Sequence, residues 1–297
     1  MTSMVRAALA ALLLFWAPTV FAQTPAKALF ADPAPDKAHP ARMEAVHIPT
    51  HGVKINGVFY LAAGAGRHPT LIIFHGMPGN EQNLDLAQAV RRLGWNVLTL
   101  HYRGSWGSPG IYSYPHLVED GVAALAFVRT PATVAAYGID PGRIVLAGHS
   151  SGGFVAVNTA ARSAPVQGLV LISGTDDAYE AKTASAAGPA AWRRFVKEDF
   201  DGLETLIGCT PDGLANQLLA HGSDWTFKAA APKLARVPLL VVTSDDGFAP
   251  EGEALAKAVS ALGAPAQVVH FTTDHPYSDH RIALQETVAG WLAARAP

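Results

Sequence analysis

Short, wholly apolar runs recur along the chain and alternate with longer stretches that read as helices. Leu71-Ile72-Ile73-Phe74, Ile144-Val145-Leu146-Ala147 and Leu239-Leu240-Val241-Val242 have no polar face. Strands of that kind belong to a sheet covered on both sides. Further strands are expected at Val46–Pro49, Val58–Leu61, Val97–His101, Leu169–Ile172 and Gln267–His270. Helices are expected around Asn83–Leu93, Val118–Arg129, Phe154–Arg162, Glu251–Leu262 and Arg281–Ala294. Alternation of this sort predicts an α/β fold with a mostly parallel sheet and helices on both faces.

From Gly174 to Arg236 the rhythm breaks. No convincing strand occurs there, only helical pieces near Ala190–Phe200 and Gly213–Ala220. A bare connection is rarely so long, so residues 174–236 read as an inserted helical cap. Trp192, Phe195, Phe200, Trp225 and Phe227 belong either to a substrate pocket or to the cap's own core.

The N-terminus reads as a targeting segment. Arg6 precedes an apolar run, and Val20-Phe21-Ala22 gives the small-residue pattern of a secretory cleavage site. The apolar run is short and Pro18 interrupts it, which disfavours a permanent anchor. The expectation is a signal peptide at 1–22, a linker at 23–44 and a folded domain at 45–297, with the mature protein periplasmic or secreted. No stable membrane insertion is expected after cleavage.

Composition narrows the function classes. Hydrophobic residues make up 49% and charged residues 15% of the 297, which excludes a disordered chain. A formal net charge of −2 supplies no basic field for nucleic acid or anionic lipid. Cys209 is the sole cysteine, so no intramolecular disulfide is possible. It reads as a small buried hydrophobe.

The strongest chemical signal is Gly148-His149-Ser150-Ser151-Gly152-Gly153, a G-x-S-x-G turn between a buried strand and a helix start. Such a turn lifts the Ser150 hydroxyl above the sheet and brings the Ser151 N–H to a helix N-terminus, where the dipole favours negative charge. A serine needs an adjacent base to act as a nucleophile at neutral pH. Carboxylates at Asp245 and Asp246 follow one later strand, and histidines at His275 and His280 follow the last. His75-Gly76-Met77-Pro78-Gly79 turns just past another strand, so the Met77 N–H is a second candidate oxyanion donor beside that of Ser151. A metal site built from Asp274, His275, Asp279 and His280 has only composition behind it, with no further ligands at zincin spacing.

These segments, with Tyr102-Arg103-Gly104 and the loop that follows it, resemble the α/β-hydrolase superfamily over about residues 45–295. The likeness is to its serine-esterase, prolyl-oligopeptidase-like or dienelactone-hydrolase-like branches. It implies a mostly parallel eight-stranded sheet and no obligatory cofactor. The family's acid usually stands four residues before a proline, which favours Asp246, ahead of Pro250, over Asp245. Its histidine normally lies between the last strand and last helix, which favours His275 over His280. The resemblance implies a Ser150-His275-Asp246 triad acting on a small-molecule ester or amide. Ester cleavage is the first expectation; a peptidase or amidase of the same fold and an inactive binding protein are the alternatives.

Overall fold

In a computed structural model, residues 24–295 are described, and the segment read as a leader lies outside them. Every strand expected from the sequence falls in one eight-stranded sheet. Its strands are β1 (Arg42–Thr50), β2 (Val53–Leu61), β3 (His68–Phe74), β4 (Asn96–Leu100), β5 (Ile139–His149), β6 (Gly168–Ile172), β7 (Leu239–Thr243) and β8 (Ala266–His270). They lie in the order β1-β2-β4-β3-β5-β6-β7-β8. The β1–β2 and β2–β4 pairs are antiparallel, and all later pairs are parallel. His51 and Gly52, both at positive φ, join β1 to β2. That two-residue connection matches the twist of an antiparallel pair.

The helices are α1 (Pro25–Phe30), α2 (Leu84–Arg92), α3 (Tyr114–Arg129), α4 (Pro131–Tyr137), α5 (Ser151–Arg162), α6 (Asp177–Ala186), α7 (Pro189–Asp199), α8 (Pro211–His221), α9 (Phe227–Ala230), α10 (Ala249–Ala261) and α11 (Arg281–Ala293). Two hydrophobic cores divide the sheet's faces. Leu71 and Ile73 of β3 join one core with residues of α1, α2 and α11, whereas Ile72 and Phe74 join the other with α3, α5 and α10. Side chains alternate across a strand, so an unbroken apolar run satisfies both cores at once. None of the helices among the described residues is long and apolar enough to cross a membrane.

Three differences from the sequence reading stand out. The stretch Thr24–Pro40, read as linker, carries α1, whose Ala28 and Leu29 are buried against α2 and α11. Strand β1 begins at Arg42, inside the same stretch 23–44. Helix α3 begins at Tyr114 rather than Val118, because Ser113 caps it and Pro115 sits in the first turn, where a missing N–H costs nothing. Between β6 and β7 the structure holds α6 to α9 and two 3₁₀ turns, with no sheet strand among the described residues.

The order places a topological switch at β3, whose neighbours β4 and β5 lead to opposite sides of the sheet. In open α/β sheets the crevice beyond such a point collects ligand-binding loops. The loops leaving β3, β5, β7 and β8 carry Gly76 and Met77, Ser150, Asp246 and His275 respectively.

Candidate active site

Ser150 sits between β5 and α5 with φ 56 and ψ −133, a conformation that non-glycine residues rarely hold. Strain of this type costs about 1–3 kcal/mol and persists only where the surroundings over-determine it. Here the Ser150 N–H donates to Ile172 O at 3.1 Å, and the Ser150 carbonyl accepts from Gly153 N at 2.7 Å and Thr175 N at 3.2 Å. The turn also needs bare backbone: a Cβ on Gly152 would stand 2.1 Å from Phe74 O.

The loop after β3 closes over the same serine. A Cβ on Gly76 would lie 2.7 Å from Ser150 Cβ and 3.2 Å from Oγ, so only glycine lets this backbone approach. Trp106 Nε1 donates to Pro78 O at 2.7 Å and Tyr102 Oη donates to His75 O at 3.0 Å, which fixes the loop from the β4 side. Met77, Ser150 and Ser151 line one small cavity. Ser151 opens α5, and a first-turn N–H has no partner within its own helix. Burial holds His75 neutral, with its pKa down to about 4.

Asp246 and His275 meet across 29 residues of sequence, His275 Nδ1 to Asp246 Oδ2 at 2.8 Å. The Asp246 side chain is 4% exposed. Burial alone would raise its pKa, but the hydrogen bond to His275, with Ser173, the Phe248 N–H and Ser244, holds the carboxyl well below the usual carboxylate range. Phe248 N reaches Oδ1 at 2.9 Å and Ser244 Oγ reaches Oδ2 at 2.8 Å. The alternatives Asp245 and His280 have other partners. Asp245, with its side chain 55% exposed, pairs with His270 at 3.0 Å, and His280 pairs with Asp279 at 2.8 Å on the surface. His275 borders the serine cavity through Phe248, whose ring lies 5.5 Å from the imidazole.

A family model of the alpha/beta hydrolase fold matches residues 74–277. The chain belongs to the α/β-hydrolase family. No curated protein matches it. Among solved structures, this hydrolase is similar to a hyperthermophilic esterase from the archaeon Pyrobaculum calidifontis, at 22% identity, TM-score 0.62 and 87% of each chain. It is also similar to a thermophilic carboxylesterase from a metagenomic library, at 25% identity, TM-score 0.60, 86% of this chain and 90% of that one. A third relative is brefeldin A esterase, a bacterial homologue of human hormone-sensitive lipase, at 20% identity, TM-score 0.60, 91% of this chain and 82% of that one.

Several supporting residues of the hydrolase escaped the sequence reading. Ser173 Oγ lies 2.9 Å from Ser244 Oγ and 3.0 Å from Tyr277 Oη, so three buried hydroxyls stand behind Asp246. They come from positions up to 104 residues apart, and no local pattern ties them together. His149 Nε2 donates to His275 O across 3.1 Å, and its ring lies tilted 4.7 Å from the His275 ring. Burial, reinforced by His275, drives its pKa down to about 3. Of the five cap aromatics, Phe195 and Phe200 both line the cavity and pack in the core, while Trp225 lies edge-on to Phe154 in the core. Burial raises the Cys209 thiol, the opposite of an activated nucleophile. No group of three metal-ligating side chains occurs among the described residues.

Proposed function

We propose that the chain is an exported serine hydrolase that cleaves carboxylic esters through Ser150, His275 and Asp246. The observation that carries the reading is the half-buried Asp246–His275 hydrogen bond, formed on loops at the same end of the sheet as a serine held at positive φ. The esterases among its structural relatives support the same reaction class. No hydrogen bond joins Ser150 Oγ to His275 Nε2 among the described residues; contacts of this kind commonly tighten when substrate binds.

In this reading His275 Nε2 takes the Ser150 proton as Oγ bonds to the ester carbonyl carbon. The carbonyl electron pair moves onto oxygen, facing the N–H groups of Met77 and Ser151. Each such donor contributes on the order of 3–4 kcal/mol to the transition state. Asp246 orients the imidazole and stabilises its positive charge. The tetrahedral adduct then breaks its C–O bond, and His275 gives the proton to the leaving alkoxide. Water, deprotonated by His275, attacks the acyl carbon; the carbon–Oγ bond then breaks, His275 returns the proton to Oγ and the carboxylic acid leaves. Residues 1–22 act as the leader in this proposal, delivering the enzyme to the periplasm or outside.

Fluorophosphonate labelling of the purified protein, with the adduct located by mass spectrometry, tests the reaction. Adduct on Ser150 that disappears in Ser150→Ala and is suppressed in His275→Ala is the expected result. A folded protein that takes no label, or takes it equally without His275, overturns the assignment.

A further inference from the structure

Buried Asp120 is given a cation, as are half-buried Asp246 and exposed Asp85. Asp120 meets Arg103 Nε at 2.7 Å, Asp85 meets Arg281, and Asp246 meets His275. The cavity that Ser150 lines holds carboxylates without such a partner. Asp177, Glu180 and Asp199 line it too, and Asp176 and Glu251 stand behind them. None of the five forms an ion pair among the described residues.

Two of these carboxylates have structural work. Asp176 accepts from Tyr179 N and from Phe227 N, capping α6 and the start of α9, and Glu251 accepts from Asp176 N. The three that line the cavity are different. Asp177 is 4% exposed; its Oδ1 accepts from Thr175 Oγ1, the Ser151 and Tyr114 hydroxyls face the carboxyl, and its buried Oδ2 has no well-formed hydrogen bond and no cation. Glu180 and Asp199 make no side-chain hydrogen bond among the described residues. Desolvation first, and neighbouring carboxylates second, push half-buried Glu180 upward, and the same causes take Asp199 to about 6 even though that residue is exposed at the cavity's mouth. A group of acids in this state lacks a positive partner.

The cavity is small, about 70 Å³, and aromatic on one side, with Tyr114, Phe195 and Phe200. A water's share of liquid is about 30 Å³, so the space suits a compact head group rather than a long acyl chain. Aromatic faces also favour a cation. The carboxylates do not converge as a metal-ligand set. His275 is not among the lining residues, and a leaving group must lie within its reach. The cavity therefore serves the acyl side of the substrate.

We propose that this cavity binds a primary ammonium on the acyl part of the substrate, two or three bonds from the carbonyl that Ser150 attacks, so that aminoacyl esters or amides are the favoured class. This rests on the serine-hydrolase reading above.

The test compares 2-naphthyl esters in matched pairs, glycyl against propionyl and β-alanyl against butyryl. Each pair exchanges an ammonium for a methyl. Rates are measured at about pH 6.5, below the usual α-amino pKa, and each kcat/KM is divided by the ester's own hydroxide-catalysed rate. A preference of about tenfold or more for the cationic member of at least one pair is expected, the size of one charge-assisted hydrogen bond. That ratio should fall to about threefold or less in Glu180→Gln or Asp199→Asn. Glutamine keeps the size and shape of Glu180, so the first variant retains the fold.

Neutral esters cleaved through Ser150 with no cationic preference would overturn the inference and leave the hydrolase reading standing. A Ser150 inert to fluorophosphonate would remove that reading instead. Propylammonium chloride, titrated against sodium chloride with Tm as readout, then decides the cavity alone. A rise in the parent that Glu180→Gln lacks supports the cation site, and no rise overturns it.

Discussion

Asp246 stays ionised in a half-enclosed place because donors reach both its oxygens: Ser244 and His275 at Oδ2, and the Phe248 N–H at Oδ1. Replacing it with asparagine should lower kcat by on the order of 10⁴, since the imidazole then loses its orienting acceptor; steady-state rates on a p-nitrophenyl ester measure this. The variant also carries a stability signature. A carboxyl whose folded pKa lies below its unfolded value of about 3.9 stabilises the native state above that pH and loses the contribution as pH falls through the folded pKa. The gap between parent and Asp246→Asn in urea unfolding should therefore be widest near neutrality and narrow below about pH 4. Ser150, Met77 and Ser151 were legible in the sequence because a turn is local and glycine marks it. The choice of Asp246 over Asp245 needed a family habit, since nothing local separates two adjacent aspartates. Ser173 and Tyr277 were invisible: they meet only after β6 and the last loop have been brought together in space.

At the scale of elements, the join between β5 and α5 is the tightest packing in the site. Gly152→Ala would set a methyl 2.1 Å from the Phe74 carbonyl, against backbone that has no rotamer to yield. A loss of about 3 kcal/mol, at the upper end for overpacking, is expected in urea unfolding, along with lost fluorophosphonate labelling. Asp176 serves two helices, so Asp176→Ala should cost about 2 kcal/mol, one for each cap. The apolar runs made the strands readable, because burial on both faces leaves an uninterrupted signature. Short elements gave less signal. Helix α4 has seven residues, opens on Pro131 and adds only Thr133 and Val134 to the buried set. Helix α1 was hidden in an Ala- and Pro-rich stretch, where two buried residues, Ala28 and Leu29, leave no periodicity to detect.

Across the whole molecule, titratable groups pull stability in opposite directions. His75 and His149 are buried neutral, with pKa values of about 4 and about 3, so they favour the native state above about 6.5 and oppose it as pH falls. Glu180 and Asp199 have raised values, so the native state binds the extra protons and their contribution is lost as pH rises through the folded pKa. Glu180→Gln should consequently gain stability over the parent between about pH 5 and pH 8, with the gain growing as pH rises; denaturant midpoints across that range check the sign. A chain beginning at Asp32 removes α1 and uncovers part of α2 and α11. Losing the burial of Leu29 should cost about 1.5–3 kcal/mol, visible as a lower Tm.

The order of the strands has a consequence for how the enzyme comes into being. A ribosome delivers β5 and its serine when barely half the chain exists, and N-terminal parts fold first during synthesis. In the proposed reading the acid arrives with the loop after β7 and the base with the loop after β8, just ahead of α11. Helix α11 is also the element against which α1, the first described helix, is buried. The first helix therefore waits for the last, and the serine waits for both its partners. A nascent or prematurely ended chain carries a finished nucleophile turn and no means to fire it.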